Sequence, residues 1–348
     1  MLKQRLQILF NVLFLSIVIS CYIWQDLIIY GISQGKGQLS IVWNSEPIPL
    51  VLKNDTLTQA FKQKLLLIGE IRSFAFDSIG IDENHNYTDF YDQRNKPSLL
   101  TISACEPYSL KAKEWTFPFL GTVSYKGYFD KRKAEKEILA LRMKSYDIDV
   151  YTPSGWSTLG WFKDPVLSNM LKKSEGSLAN LIIHELTHGT LYVKNNVTFN
   201  ENLANFIGDK GAEQFLTYRF GKNSREFIRY QQNKSDEKIY NDYILECSTK
   251  LEKLYATNEF KSLDENSRKE KKTEFISSVV KGVYKIGLQD PKGYLNYTLQ
   301  AFFEGNAFFM AFTRYDSQYE LFEKEYKEKY KSDLRTYLNA MKELYPSL

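Results

Sequence analysis

Histidine is scarce in this chain of 348 residues: His85, His184 and His188 are all there is. Cysteine is as scarce, with Cys21, Cys105 and Cys247. Three cysteines are too few for a disulfide framework, and their spacing fits no zinc knuckle. Charge of one sign is also lacking. The net charge of +4 is small and mixed along the chain, with no basic stripe, zinc finger or RNP-like strand, so nothing asks for nucleic acid. There are no internal repeats and no low-complexity linker. Apolar side chains are plentiful: 43% of residues are hydrophobic, with 24 Tyr and 23 Phe, enough for a substantial core in one large domain or two small ones.

Against that scarcity, two of the three histidines fall in one short frame, His184-Glu185-Leu186-Thr187-His188. On a helix, residues four apart project from one face, one turn apart. Two imidazoles so placed can hold one Zn²⁺, and Glu185 beside them can take a proton from zinc-bound water. Chance would put two of three histidines in this frame roughly once in several hundred such chains, to be weighed against the false-positive rate of the motif. A purely structural histidine pair is the plain alternative. Ser174 or Ser177 is placed to cap the helix. Leu178, Leu181, Ile182, Leu186 and Leu191 supply its buried side.

Zinc hydrolases use three protein ligands and one open position. Phe199 to Gly208 begins a second helix, with Asn200 a plausible cap. Glu201, thirteen residues after His188, can return to the two imidazoles across a helix end and a short loop. Asn205 lies one turn further on the same face, where it could orient a ligand histidine. A first-turn glutamate stabilised by the helix dipole is the alternative reading of Glu201, and Glu213 is the reserve ligand. His85, in the polar loop 82–86, reads as a solvated residue before it reads as a ligand.

The rest of the chain frames this stretch. Residues 1–24 read as a targeting segment: Lys3 and Arg5 make a basic start, and Ile8 to Trp24 is almost wholly apolar. Val18-Ile19-Ser20-Cys21 resembles a lipobox, which would make Cys21 a lipidation site; an uncleaved anchor running through Ile23 and Trp24 is the other reading. Both place the chain outside the cytoplasm, tethered to a membrane. Asp55 or Thr56 should cap a helix that ends near Gly80. Residues 99–104, Trp115 to Tyr128 and 148–151 are strand territory, with a helix from Asp130 to about Tyr146. The stretch 156–165 precedes the histidine helix. There Thr158, Leu159 and Gly160 could form an edge that pairs with an extended peptide, or a core strand packed by its tryptophans. From residue 219 the pattern is helical: 224–256, 267–286, 294–312 and 318–345, with breaks. Polar groups at Glu304 to Asn306 and at Arg314, Tyr315 and Asp316, which interrupt the apolar helical pattern, could close a site from its far side or simply pack between helices.

The run from His184 to Ala204 resembles the core of the bacterial "predicted aminopeptidase" proteins, gluzincin-type zincin metallopeptidases. The likeness extends to Tyr125-Lys126-Gly127-Tyr128-Phe129, to Ser157-Thr158-Leu159-Gly160-Trp161-Phe162, to 208–216, and to Gly37-Gln38-Leu39 after a membrane segment. It spans roughly residues 20–220. The resemblance implies one zinc ion, a His-His-Glu site and a location in the cell envelope. Some relatives carry cysteines flanking the Phe-Pro segment; Thr116 and Thr122 stand there instead, so no disulfide is available.

The expected fold is α+β and mainly helical. A small zincin-like sheet precedes the zinc helix, and residues 1–24 precede a metallopeptidase-like domain, 25–348. Within that domain an α+β half, 25–193, is followed by a helical half, 194–348. The expected activity is hydrolysis of peptides, at their amino end if the resemblance holds, with Glu185 as general base. A zinc hydrolase of cell-wall peptides or other amides, and a non-catalytic envelope protein with a structural or vestigial zinc site, are the alternatives. The sequence leaves the oligomeric state open.

Overall fold

The computed structural model describes residues 24–117, 121–153, 163–194, 196–312 and 319–347, together with Gln4, Gln7 and Asn11. The chain is α+β and mainly helical, with a few small sheets. Helix α1 (Gln25–Trp43) leads into β1 (Glu46–Pro47). Helix α2 (Gln59–Phe74) is capped by Thr58, not by Asp55 or Thr56, because Asn54 binds the Thr56 backbone and hydroxyl and folds 54–56 into a turn. Its Leu65, Ile68 and Ile71 are buried. The helix widens into a π turn over Ala75–Ile79 and ends at Gly80, whose φ of 84° suits a residue with no Cβ.

The strands follow: β2 (Asp89–Tyr91), β3 (Leu100–Cys105), the hairpin β4 (Trp115–Phe117) and β5 (Gly121–Val123), and β6 (Lys126–Tyr128). Thr116 and Thr122 are direct cross-strand partners, with hydroxyls 3.1 Å apart. Helix α3 (Lys131–Arg142) is capped by Asp130; β7 (Asp147–Tyr151) and β8 (Val166–Leu167) complete the set. One sheet runs β1-β2-β8, with β2 and β8 parallel, and another runs β6-β3-β7.

Beyond them lie α4 (Glu175–Thr190), α5 (Val197–Phe220), α6 (Arg225–Ala256), α7 (Glu265–Gly282), α8 (Pro291–Thr298), α9 (Asn306–Phe312), α10 (Tyr319–Tyr330) and α11 (Leu334–Leu344). The helical stretch expected over 294–312 is interrupted before α9 by Gly305, which takes a φ of 56° and lies so close to the Asp147 carboxylate that a Cβ would overlap it. The stretch expected over 318–345 breaks where Lys331 and Ser332 adopt left-handed φ of 51° and 61°; Asp333 then caps α11.

Two main apolar cores result. The larger joins α2, α4, α5, α10 and α11 through residues such as Ile68, Ile182, Ile183, Phe206, Phe215 and Tyr337, and so draws on both sides of position 193. The other joins the distal part of α6 to α7 and α9 through Ile244, Leu251, Ile276, Phe308 and Phe309. A buried polar junction ties this second core to the sheet. Lys272 pairs with Asp147 and donates to the Pro107 carbonyl at 2.9 Å. Asp147 also accepts from the Asn306 backbone, and Tyr255 donates to the Asn306 side chain at 2.8 Å. The polar groups of Asn306 are thus used at this junction. Arg314, Tyr315 and Asp316 lie outside the described residues, as do Cys21, Thr158, Leu159 and Gly160. Among the described residues no helix is long and apolar enough to cross a membrane.

Candidate metal centre

Helix α4 starts where Ser174 turns its hydroxyl to the Ser177 backbone N–H at 3.3 Å. Leu178, Ile182, Ile183 and Leu186 hold it in the larger core. With that face buried, the helical period sets His184 and His188 one turn apart on the side that meets α5. The two ring Nε2 atoms are 3.2 Å apart and the ring planes are at 89°.

Helix α5 is capped by Asn196, which accepts from the Phe199 N–H at 3.2 Å. Asn200, expected as the cap, is a buried residue of the first turn instead. Its amide closes a two-way bridge to Val193, accepting from the backbone N–H at 2.8 Å and donating to the carbonyl at 2.9 Å. That bridge fixes the start of α5 against the end of α4 and presents Glu201. Further along, Gly208 allows the helices to touch: a Cβ there would stand 3.0 Å from the Asn180 carbonyl oxygen and 3.1 Å from His184 Cβ.

Glu201 reaches back to both imidazoles, 3.7 Å from His184 Nε2 and 3.5 Å from His188 Nε2. The three residues offer donor atoms that all lie within 4.8 Å of one another, a set that could hold a metal ion. Glu201 keeps 38% of its side chain exposed, so the set is open on that side. Burial lowers the His184 pKa to about 4, against the opposing pull of Asn205 and Asp209. Burial, and then His184, lowers His188 to about 3. Both rings are therefore neutral near pH 7, with lone pairs free for coordination. Burial raises Glu201. Glu185 is buried and pushed up to about 8, first by desolvation and then by the charges of Glu201 and Asp164. Four ionisable groups thus share a small volume, and among the described residues no lysine or arginine pairs with Glu185 or Glu201.

The donor set fits a first-row dication. Around a tetrahedral ion with bonds of about 2.0–2.1 Å, ligand atoms stand roughly 3.3–3.4 Å apart; the Nε2–Nε2 separation of 3.2 Å is close to that edge, with one Glu201 oxygen 3.5 Å from His188 Nε2 and the other 3.7 Å from His184 Nε2. Asn205 hydrogen-bonds the His184 ring. His188 Nδ1 is buried with no hydrogen-bond partner among the described residues.

Several groups around the set carry no local sequence signal. Asp164 and Tyr87 are buried near Glu185; burial, then the charges of Glu185 and Asp164, raise the Tyr87 pKa, and Asp164 adds to the rise at Glu185. The Tyr87 N–H donates to the Asp164 carbonyl at 2.6 Å, and the Asp164 N–H to the Asn86 side chain at 3.1 Å. They flank the parallel pair β2 and β8, so it is the sheet that brings them to the helix. On the opposite side, Asp209 accepts from Asn180 at 2.6 Å and from Tyr230 at 3.0 Å, and pairs with Lys234 at 2.8 Å. Glu213, the reserve ligand, belongs to this second group through Lys234 at 3.3 Å. His85 is exposed in its loop.

A family model described as "Putative aminopeptidase" matches residues 29–347. The chain belongs to that family. The match takes in both cores and all of the donor residues, so the family likeness is not confined to the His184–Ala204 stretch. No curated protein and no solved structure matches the chain.

Proposed function

We propose that the chain is a zinc-dependent metallopeptidase, an aminopeptidase, tethered to the cell envelope by residues 1–24. The observation that carries the reading is the convergence of His184, His188 and Glu201 around one small volume, with Glu185 beside it, in a chain of this family. Two neutral imidazoles and one carboxylate, open on one side, match the three-ligand pattern of a catalytic rather than a structural zinc site. Zinc bound there would polarise the scissile carbonyl and acidify the attacking water. Glu185 serves as general base and then as general acid, taking the proton of the water and passing it to the leaving amine. Glu185 is buried beside Glu201 and Asp164, and a dication bound there would favour its carboxylate, the form a general base needs. Asn205 holds the His184 ring in orientation. Nitrogen and oxygen donors suit zinc over magnesium or calcium, which prefer oxygen alone.

Metal analysis of the purified protein, followed by digestion of a peptide library with wild type and Glu185→Gln, tests the reading. Glu185→Gln should keep its zinc and lose about 10²–10⁴ in turnover, and the wild-type products should be shortened from the amino end. Turnover by the variant at the wild-type rate would sink the mechanism, and products cut only internally would sink the aminopeptidase assignment.

A further inference from the structure

Helix α3 has two unlike faces. Ala134 and Leu141 are buried in a small core with Ile102, Tyr128 and Ile148 of the sheet β6-β3-β7. Glu137 also points inward: it accepts from the Trp115 indole at 3.1 Å and the Tyr128 hydroxyl at 2.9 Å, and pairs with Lys126 at 3.3 Å. The helical period places Arg132, Lys136, Leu139 and the capping Met143 directly opposite, at spacings of four, three and four. All four are exposed, Leu139 by 61% and Met143 by 80%. Lys133 and Lys144 flank this stripe on one side and Arg142 on the other. Residues 131–144 carry six cations against Glu135 and Glu137, a net of +4; that equals the net charge of the whole chain, so the remainder is neutral.

The charges work against the helix that carries them. Its first turn is Lys-Arg-Lys with no acidic residue, at the end where the helix dipole favours anions. Arg132 and Lys136, four apart, repel. Lys131 and Arg132 have carboxylates within reach, Glu135 at 3.6 Å and Asp130 at 3.8 Å. Lys133, Lys136, Arg142 and Lys144 pair with none among the described residues. Helix α7 is the ordinary solvated case, where Lys269 and Lys271 pair with Glu265 and Glu274 of the same helix.

We infer that the outer face of α3 docks on an anionic lipid surface, its cations meeting headgroup phosphates while Leu139 and Met143 enter the acyl boundary. The inference goes beyond the proposed function and rests on neither zinc nor residues 1–24 as a tether. Charge complementarity identifies the partner: a layer of negative charge relieves the self-repulsion of α3. An anionic polymer such as a nucleic acid would supply that charge and leave Leu139 and Met143 in water. A lipid boundary takes both, because exposed apolar side chains sink below the phosphates that the cations bind. The long stems of lysine and arginine span that step in depth. Each cation held near such a surface strengthens binding about fivefold, so Arg132 and Lys136 together contribute about 25-fold.

The test uses the full chain with a fluorescent label at Ala140→Cys in a Cys21→Ser background, mixed with vesicles whose acyl chains are brominated. Ala140 is exposed beside the stripe, and Cys105 and Cys247 are buried. Phosphatidylglycerol vesicles should quench the label several-fold more than phosphatidylcholine vesicles, and salt at about 0.5 M should remove the difference. Arg132→Gln with Lys136→Gln should weaken the phosphatidylglycerol-dependent quenching about 25-fold. Leu139→Ser with Met143→Ser should make it shallower, and both pairs should keep the wild-type melting temperature. Equal quenching by the two lipids, or none by either, overturns the proposal. So does quenching unmoved by the paired Gln variant. Shielding of the label from iodide by double-stranded DNA and not by phosphatidylglycerol gives the face to an anionic polymer and also overturns it. Flotation with phosphatidylcholine vesicles reads the tether separately, and none of these readouts depends on metal or turnover, so failure here leaves the metallopeptidase reading standing.

Discussion

Two buried polar clusters in this molecule are built on opposite principles. At the junction of sheet and distal helices, Asp147 is met by the Lys272 ammonium and the Asn306 backbone, and the Asn306 side chain is bonded by Tyr255. At the crossing of α4 and α5, two neutral imidazoles and the carboxyl groups of Glu185 and Glu201 converge; among the described residues no lysine or arginine pairs with those carboxyl groups, and His188 Nδ1 has no partner. Burying polar groups is costly unless they are paired. The first cluster satisfies that condition from within the chain. The second does not among the described residues, as the metal site proposed above would require.

Breaking each cluster should give different readouts. The largest effect is expected for His188→Ala, which leaves two of three donors. Metal measured by atomic emission and peptide turnover should both be lost while the fold persists; full metal occupancy in this variant would remove His188 from the ligand set. Lys272→Ala should do the reverse. Leaving Asp147 buried without its cation should cost about 3–5 kcal/mol of stability, read by urea denaturation, with metal content per folded molecule unchanged. A fall in metal content would show that the two clusters are coupled.

Smaller effects sharpen the comparison. Asn205→Ala removes the partner of the His184 ring and should weaken metal affinity by about 10–100-fold. Competition against a chelator measures it, and wild-type affinity would reduce Asn205 to a bystander. Glu304 is a pH probe away from the donor set. Burial, then Asp149, raises its pKa from 4.5 to about 7. The folded state therefore binds more protons than the unfolded state between those values, so this group makes stability fall as pH rises through the window. Glu304→Gln should flatten that fall, as seen in melting temperatures between pH 4.5 and 7. An unchanged slope would mean that Glu304 is solvated.

The convergence of His184, His188 and Glu201 was legible because its information is local. The four-residue histidine spacing, the Ser174 cap and a glutamate thirteen residues on are all features of one short stretch, and local patterns map onto helix faces directly. Strand β3 and helix α6 were legible for the same reason: each has a clear period and, for α6, a serine cap at Ser224. The misses were long-range. Asn196 and Asn200 look alike as caps, and only the fold shows that the second is taken by Val193. The break at Gly305 depends on Asp147, far away in the chain. The turn at Lys331 and Ser332 uses left-handed backbone in residues that give no sign of it. Tyr87 and Asp164 reach the neighbourhood of Glu185 only because β2 and β8 pair in parallel.

The bridge between Asn200 and Val193 has a kinetic consequence as well. His184 and Glu201 are separated by only 17 positions, and the bridge closes the loop between their helices with one side chain. Short loops close at little entropic cost, and contacts near in sequence form fast. The hairpin of α4 and α5 that carries His184, His188 and Glu201 is thus a low-contact-order unit, able to assemble before the chain beyond Ala256 has found its place.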